Sequence, residues 1–552
     1  MSSYLSGIYR IFSGLFQRAR FGLQLVTCLS ILFATTGGHE YISRKISGKS
    51  QDLMDISYFQ FEFSPDGKFV VFIADLTTDE KFELYSVPVS GNTPTRISGA
   101  ITPADGDVYD FAIAPDSHWV VYNADMVTDD QVNLYRVPIT GGQKPVQLNG
   151  TGNDKVWISM FKISSNGLVV VYKGDDEKDG MSELFSVPMD GSHDPVKLND
   201  PIVAEGGRID MWDITPNSQR VIYRADQKIY LQPELYSVPI TGGIVVTLNA
   251  TLAANGYVSN FRIAPDSGRV VYSAVHDTAG ICELYSVQPN GTGRVKLNQD
   301  ILTGAGVGKF EIAPNSASVV YIADQDALYV DELYLAAIDI DHGPTYKLNG
   351  VLVPNADGDV IDFEIAPNSQ GVVYLADPTA DEHMELYARY LIEPYTLRRL
   401  DSHLPLWGDV YHFEITSNSE GVVFTWTPPG ESHMELYSNW TIYDTPPIPL
   451  SGELTSGGTV NNFAITPDNL RVIYEADQDI YQVDELYSVP IFGGQIEKLD
   501  RLLVSSGQVE YFRVSPDSEN VIFKGDLETD EKFELFISSK ATHSYLPVLQ
   551  KP

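Results

Sequence analysis

The sequence is poor in cysteine and in positive charge, and each shortage narrows the classes of protein that fit it. Its 552 residues include only two cysteines, and one of them, Cys28, lies in an apolar stretch near the N-terminus. Internal disulfide bonds are therefore not expected to hold this fold together. Lysine and arginine number 37 against 74 aspartates and glutamates, which gives a net charge of −37. Because a chain this acidic repels phosphate groups, we set nucleic-acid binding aside.

Long hydrophobic runs are also scarce, with one exception near the N-terminus. Three arginines within residues 10–20 precede the apolar segment 21–38, which ends in small residues. This order predicts an export signal in residues 1–38, with an uncleaved membrane anchor as the alternative, followed by a short linker, 39–55. We therefore expect a bacterial protein that works in the periplasm, at the cell surface or outside the cell. Membrane contact is expected only through the N-terminal segment, if it stays uncleaved.

Signatures of known catalytic sites are missing from the sequence. There is no G-x-S-x-G nucleophile elbow and no H-E-x-x-H zinc motif. The stretch Ser47–Ser50 reads SGKS, but it lacks the upstream glycine of a phosphate-binding loop. No catalytic residue is predicted from motifs.

What the chain does contain is a repeat with a period near 50 residues. A turn such as SPDG, APDS or TPNS recurs ten times at spacings of 49 to 53 residues. Its second position, used here as the anchor of each repeat, is Pro65, Pro115, Ser165, Pro216, Pro265, Pro314, Pro367, Ser417, Pro467 and Pro516. An aromatic residue stands four places before every anchor, and Leu followed by Tyr or Phe stands nineteen and twenty places after it. A period of this length with strand-like content is typical of propeller blades.

Each repeat predicts four short antiparallel strands. In the second repeat, VYDFAI, WVVYNA, NLYRVP and PVQLN are rich in strand-forming residues and are separated by turn residues. No helical period occurs in the repeats. The sequence therefore predicts an all-β protein, a β-propeller of four-stranded antiparallel blades covering residues 56–549. The tail, residues 544–552, is expected to supply the last outer strand.

The repeat also resembles a known family. The pattern APDSGRVVYSA followed by ELYSV is similar to the WD40-like (PD40-type) repeat of TolB-like β-propellers, which are found in bacterial periplasmic and extracellular proteins. The resemblance covers roughly residues 56–549. It implies a propeller that serves as an interaction platform, as the TolB propeller does in an envelope complex.

The number of repeats leaves two ring arrangements open. Ten blades exceed the usual four to eight, so two five-bladed rings are an alternative to one large ring. The longest spacing, from Pro314 to Pro367, leaves no linker that would join two closed rings. We therefore favour one ring of ten blades.

The first strand of each blade supplies polar residues three and five places before the anchor. A wide ring would let these side chains line a wet channel. The candidate binding residues, in the channel and at its mouth, are Asp110, Asp213, Arg262, Glu311, Asp362, Glu364, His412 and Glu414.

Two acidic positions recur after the anchor, and their repetition favours a structural role. Aspartate stands ten places after the anchor in eight repeats, and glutamate stands eighteen places after it in nine. We expect these carboxylates to cap loops by accepting hydrogen bonds from backbone N–H groups. Calcium binding by clustered loop oxygens is the alternative, with Asp75, Asp79, Asp526 and Asp530 as candidate ligands of Ca²⁺.

These observations predict an exported, non-catalytic binding scaffold that uses an acidic rim and a polar channel. The expected partner is a protein or peptide, for which a basic one is the best complement, or a glycan. A propeller lyase or hydrolase with a metal in the channel is the second hypothesis, and His412, Asp362 and Glu414 would be its first suspects. A structural cell-surface protein that assembles with itself is the third.

Overall fold

The computed structural model describes residues 41–47 and 60–540, apart from 79, 92, 151–156, 176–182, 203–206, 254, 277–278, 303–304, 353–357, 379–382, 392–395, 501–506 and 529–531. Contacts divide the chain into a large unit, Ile42–Ser539, and a second unit of Met1–Tyr41 and Lys540–Pro552. The predicted export signal lies outside the described residues. Across the described ranges, no helix is long and apolar enough to span a bilayer.

Every regular element among the described residues is a β-strand, and the strands form ten four-stranded sheets, the blades. The first strands of blades 1 to 10 are Phe61–Phe63, Val108–Ile113, Ile158–Ile163, Ile209–Ile214, Val258–Ile263, Val307–Ile312, Val360–Ile365, Asp409–Ile415, Val460–Ile465 and Val509–Val514. The second strands are Phe69–Ala74, Trp119–Ala124, Val169–Gly174, Arg220–Ala225, Val270–Ala274, Ser318–Ala323, Gly371–Ala376, Gly421–Thr427, Arg471–Ala476 and Asn520–Gly525. The third strands are Glu83–Pro88, Asn133–Pro138, Glu183–Pro188, Glu234–Pro239, Glu283–Val287, Glu332–Ala337, Glu385–Tyr390, Glu435–Trp440, Glu485–Pro490 and Glu534–Lys540. The fourth strands of blades 1 to 9 are Thr95–Arg96, Val146–Gln147, Val196–Lys197, Val246–Thr247, Val295–Lys296, Thr345–Lys347, Leu397–Arg399, Ile448–Pro449 and Glu497–Lys498.

The fourth strand of blade 10 comes from the other end of the chain. Tyr41–Lys45 pairs with Glu534–Lys540, so the last blade combines an N-terminal strand with three C-terminal strands. The sequence predicted that the tail 544–552 would supply this strand and that 39–55 would be a linker. The tail lies outside the described residues, and the strand position belongs to part of the expected linker.

Apolar residues on both faces of each blade join the blades into one ring. Val71 of blade 1 packs in a cluster with Phe111 of blade 2, whereas its neighbour Val70 packs in a cluster with Ile522 of blade 10. The first and last blades are therefore in contact. Blade 5 in turn packs on blade 6 rather than closing on blade 1. The molecule is a single ten-bladed β-propeller, and the alternative of two five-bladed rings is wrong.

One aromatic pair is repeated in all ten blades, and it explains the recurring LY motif. The aromatic residue of the second strand stacks on that of the third strand, with ring centroids 5.2 to 6.0 Å apart. The pairs are Phe72–Tyr85, Tyr122–Tyr135, Tyr172–Phe185, Tyr223–Tyr236, Tyr272–Tyr285, Tyr321–Tyr334, Tyr374–Tyr387, Phe424–Tyr437, Tyr474–Tyr487 and Phe523–Phe536. Such stacking adds specific geometry to the burial of large apolar surface.

The turn between the first and second strands has the same backbone shape in every blade. Its second residue after the anchor has a positive φ, between 57° and 71°. These residues are Gly67, Ser117, Gly167, Ser218, Ser267, Ser316, Ser369, Ser419, Asn469 and Ser518. Glycine and asparagine are the usual residues in this left-handed region, so the seven serines need a further reason, which the contacts between blades supply.

Candidate functional site

Two sets of loops meet on one face of the propeller, which we call the rim. These are the loops that join second to third strands and the loops that lead from one blade into the next. The backbone N–H of Phe82, before the third strand of blade 1, donates to Asp107 Oδ1 (2.8 Å), and Val108 N donates to Phe82 O (2.9 Å). Asp107 and Val108 lead into blade 2. The two loop sets therefore lie side by side at this face of the blades.

The repeated aspartates fix these loops from within. Asp324 Oδ1 accepts a hydrogen bond from Gly306 N (2.7 Å), and its Oδ2 accepts one from Tyr329 N (3.3 Å). Asp125 Oδ1 likewise accepts one from Asp107 N (2.5 Å). The carboxylate of Asp324 thus connects the loop between the second and third strands of its blade to the segment that leads into the first strand. The loop-capping prediction is confirmed for these aspartates.

The repeated glutamates act differently from the prediction. Glu332 accepts a hydrogen bond from the Tyr334 hydroxyl (2.7 Å) and forms an ion pair with Lys347 of the fourth strand (2.6 Å). Glu83 does the same with Tyr85 (2.8 Å) and Arg96 (2.7 Å). These glutamates bind side chains of the third and fourth strands of their own blade, and not loop N–H groups alone. Since the arrangement recurs, it belongs to the architecture of the blade.

The predicted calcium ligands are described only in part. Asp75 Oδ2 accepts a hydrogen bond from Glu80 N (3.2 Å), and Asp526 Oδ1 accepts one from Gln508 N (2.5 Å). Asp79 and Asp530 lie outside the described residues. Within the ranges that the structure describes, no group of three His, Cys, Asp or Glu side chains is arranged to hold a metal ion. Calcium binding stays a prediction from the sequence.

Five of the eight candidate binding residues lie on the first strands of three consecutive blades, 6 to 8. Lys309 of blade 6 joins them, since its Nζ lies 3.1 Å from Glu311 and 2.6 Å from Asp362 of blade 7. Glu364 Oε2 accepts a hydrogen bond from Ile415 N of blade 8 (3.2 Å). We call Glu311, Asp362, Glu364, His412 and Glu414 the channel arc.

Burial disfavours the ionised form of two glutamates of the channel arc, and neighbouring carboxylates add to this effect for Glu364. Burial is the main cause that raises the pKa of Glu364 to about 7, and the charges of Glu414 and Glu311 add to it. Burial also raises the pKa of Glu414. Glu414 Oε2 accepts a hydrogen bond from Ile465 N of blade 9 (3.4 Å), and the ring of His412 lies 5.1 Å from that of Phe463. A cationic group in the channel would relieve this repulsion.

The other three candidates lie apart from the channel arc. Asp213 of blade 4 is paired with Lys162 of blade 3 at 2.8 Å. Arg262 of blade 5 donates to Asn260 Oδ1 and to Phe261 O, both at 3.1 Å. Asp110 of blade 2 accepts a hydrogen bond from Phe111 N (2.8 Å). The sequence columns placed all eight on first strands but did not show which would be neighbours.

Sequence columns missed the exposed aromatic residues of the rim. Tyr109 of blade 2 and Trp157 of blade 3 are 37% and 43% exposed, and their ring centroids lie 5.6 Å apart. Burial raises the pKa of Tyr109, and the charges of Asp125 and Asp107 raise it further, so carboxylates surround this aromatic pair. The same place in other blades holds residues as different as Ser159, Ile361 and Tyr411, so this column had no fixed pattern that would have singled out Tyr109.

A second exposed aromatic site lies on the rim near the channel arc. Trp407, on the loop into blade 8, is 59% exposed and has φ 76°, and Tyr411 at the start of its first strand is 57% exposed. The Trp407 ring lies 4.7 Å from the ring of His383, whose Nδ1 is 3.3 Å from Asp409. A bulky residue in the left-handed region is strained, and strain of this kind occurs often at binding sites.

Comparisons with known proteins find likeness of structure alone. No protein-family model matches the sequence, and no curated protein matches it. The chain is similar to a putative TolB from Agrobacterium tumefaciens, with 18% identity and a TM-score of 0.26 over 47% of this chain and 88% of that one. It is similar to a eukaryotic initiation factor, with 11% identity and a TM-score of 0.45 over 76% and 93% of the two chains.

A prolyl endopeptidase structure is also similar, with 11% identity and a TM-score of 0.37 over 68% of this chain. The chain spans about half the length of that enzyme, 55% of it. The assignment of the fold depends on the blades themselves. The protein is a ten-bladed β-propeller.

Proposed function

We propose that this propeller is a non-catalytic binding scaffold whose rim recognises a basic segment of a protein partner. The observation that carries the proposal is the exposed pair of Tyr109 and Trp157 among carboxylates on the rim. Aromatic faces attract lysine and arginine side chains, and tryptophan and tyrosine are enriched among the residues that dominate binding energy. The net charge of −37 favours the approach of a basic partner.

The channel arc supports the same proposal. Its carboxylates extend negative charge from the rim into the channel of blades 6 to 8, beside the exposed aromatic residues Trp407 and Tyr411. A partner with basic side chains at two places along its surface would use both sites. A glycan would use the aromatic faces, but it would gain little from the charge.

No observation favours the enzyme hypothesis over this one. Asp362 is bound by Lys309, and Glu414 is bound by a backbone N–H of the next blade. His412 lies against the ring of Phe463. The three first suspects for catalysis thus have structural partners among the described residues.

Export is part of the proposal and rests on residues 1–38 of the sequence. If the segment is a cleaved signal, the protein recovered from the periplasm or the medium of a bacterial host lacks it. Mass spectrometry of the secreted and cell-retained forms tests this. Recovery of the full-length chain only from the cytoplasm would contradict export.

Fluorescence anisotropy with a short labelled peptide of alternating lysine and glycine tests the rim. We expect binding that weakens with salt, and about tenfold weaker binding for Trp157→Ala, which leaves the charge unchanged. Tyr346→Ala is the matched control, because Tyr346 is 60% exposed on the fourth strand of blade 6, away from the rim. Equal binding by the wild-type protein and both variants would show attraction by charge alone and would overturn the proposed site.

A further inference from the structure

A polar cavity lies between blades 4 and 5, at the end of the strands opposite the rim. Its volume is about 220 Å³, well above the roughly 10–15 Å³ that holds one water molecule. The turn between the first two strands of blade 4 and two turns of blade 5 form its walls. Its polar lining includes Asn217, Gln219, Arg220, Ser267, Gln288 and Asn290.

Arg220 is the only charged residue that lines this cavity. Its Nε donates a hydrogen bond to Ser237 Oγ (2.7 Å). Its Nη2 is buried and has no hydrogen-bond acceptor within the described part of the chain. An unpaired N–H group of a buried cation is costly, so an acceptor entering the cavity would stabilise this arginine.

Two other blades carry arginine at the same place, four residues after the anchor, and both supply acceptors from the protein. Arg471 Nη2 of blade 9 donates to Ser488 O (3.1 Å) and lies 3.5 Å from Glu497 Oε1 of the fourth strand. Arg269 Nη1 of blade 5 donates to Ser286 Oγ (3.1 Å) and to Gly293 O (3.0 Å). Arginine at this position is therefore normally paired.

Blade 4 lacks the acceptor that blade 9 provides. The residue opposite Ser488 on the fourth strand of blade 9 is Glu497, and the residue opposite Ser237 in blade 4 is Val246. The same arginine thus faces an open cavity in one blade and an internal carboxylate in the other. The internal partner of Arg471 shows which chemistry suits this position.

We propose that the cavity between blades 4 and 5 binds a carboxylate through Arg220. A guanidinium binds a planar carboxylate through two parallel hydrogen bonds, and the amide side chains around it offer further donors. Asp266 does not line the cavity but directly precedes Ser267, which does, and its Oδ1 accepts a hydrogen bond from Gly268 N (2.7 Å). This negative charge favours an anion of single charge over phosphate. The C-terminal carboxylate of a peptide and the carboxylate of a sugar acid are the two sources that fit.

Isothermal titration of the full-length protein distinguishes these sources. The probes are N-acetylglycine, which represents a peptide C-terminus, glucuronate, and inorganic phosphate, with N-acetylglycinamide as the neutral control. We expect saturable binding of one carboxylate and no binding of the amide. Absence of saturable binding by both carboxylates, or a preference for phosphate, would overturn the proposal.

Matched variants locate the binding to this cavity. Arg220→Gln is expected to weaken binding by about tenfold or more, whereas Arg269→Gln, at the same place in blade 5, leaves it unchanged. Val246→Glu supplies the acceptor found in blade 9 and should also abolish binding, with folding checked by the melting temperature. Binding that survives both Arg220→Gln and Val246→Glu would contradict the site.

Discussion

The hydroxyl of Ser518 in blade 10 accepts a hydrogen bond from the backbone N–H of Asp468 in blade 9 at 3.0 Å. Ser518 is buried and has φ 62°. A serine is held in this left-handed conformation because its hydroxyl joins two blades. The same contact links blades 1 and 2, 3 and 4, 4 and 5, 5 and 6, 6 and 7, and 7 and 8.

This relationship predicts that alanine and glycine at Ser518 differ in stability. Ser518→Ala loses the hydrogen bond and keeps a strained Cβ, so we expect a loss of about 1–2 kcal/mol. Ser518→Gly loses the same hydrogen bond but relieves the strain, and Gly67 and Gly167 already occupy this place in other blades. Thermal melting should rank glycine above alanine. Equal melting temperatures for the two variants would show that backbone strain plays no part.

The N-terminal segment closes the ring, and a pair of isoleucines tests this. Ile46 is fully buried against blades 1 and 10, whereas Ile42 on the adjoining strand is 61% exposed. Ile46→Ala should cost about 2–4 kcal/mol, and Ile42→Ala less than about 0.5 kcal/mol. Melting curves of the two variants measure the difference. If Ile46→Ala melts like the wild-type protein, this segment does not fasten the ring.

Glu475 of blade 9 predicts a pH dependence of stability. It is buried, and burial followed by the charges of Asp484 and Glu510 raises its pKa from 4.5 to about 8. The folded state thus binds this proton more tightly than the unfolded chain, so stability falls as pH rises from 4.5 to about 8. Glu475→Gln should melt higher than the wild-type protein above pH 8 and match it at acidic pH.

The control for Glu475→Gln is Glu453→Gln, which makes the same change of charge on an exposed rim residue. Its melting temperature relative to the wild-type protein should stay constant across the pH range. If the melting temperature of each variant differs from that of the wild-type protein by a constant amount at every pH, the burial of Glu475 has no energetic effect.

The glutamates of the third strands predict a coupling between two strands. Glu485 is fully buried, accepts a hydrogen bond from the Tyr487 hydroxyl (2.6 Å) and is paired with Lys498. Glu485→Asn removes one ion pair of Lys498, whose Nζ also lies 3.4 Å from Asp479, and should cost about 1–3 kcal/mol. Blade 2 naturally holds Asn133 and Gln147 at these two places, with a hydrogen bond of 3.1 Å.

The double variant Glu485→Asn with Lys498→Gln copies the arrangement of blade 2. It should therefore be more stable than Glu485→Asn alone, and a double-mutant cycle measures the recovered energy. If the double variant loses as much free energy of unfolding as the two single variants lose together, the two residues do not act together.

The sequence was sufficient to predict the blades because the same residue types fill the same packing positions in every blade. Each third strand has Leu and an aromatic residue at the same two places, and this recurrence showed the order of the strands. The lack of a linker indicated one ring. The closing strand Tyr41–Lys45 could not be found this way, because it lies outside the repeat period and its partner is almost 500 residues away.

The candidate sites were harder to predict than the fold, because the proposed sites depend on residues that differ between repeats. The sequence identified Asp362 and Glu364 as polar residues at repeated positions of the first strands. Their contacts with blades 6 and 8 became known only from the structure. Trp157 stands in a column whose members are mostly small or polar and in which Tyr257 is the other aromatic residue. Arg220 matches Arg471 in sequence, and only the residue on another strand, Val246, makes it different.

The central claim is that the rim is the binding face, and hydrogen exchange with the lysine–glycine peptide tests it most directly. Exchange rates of the full-length protein are measured with and without the peptide at low salt. The account predicts slower exchange in the rim segments 101–110 and 126–132 of blade 2 and at 405–411 of blade 8. Protection confined to the opposite face, or spread evenly over the acidic surface, would contradict it.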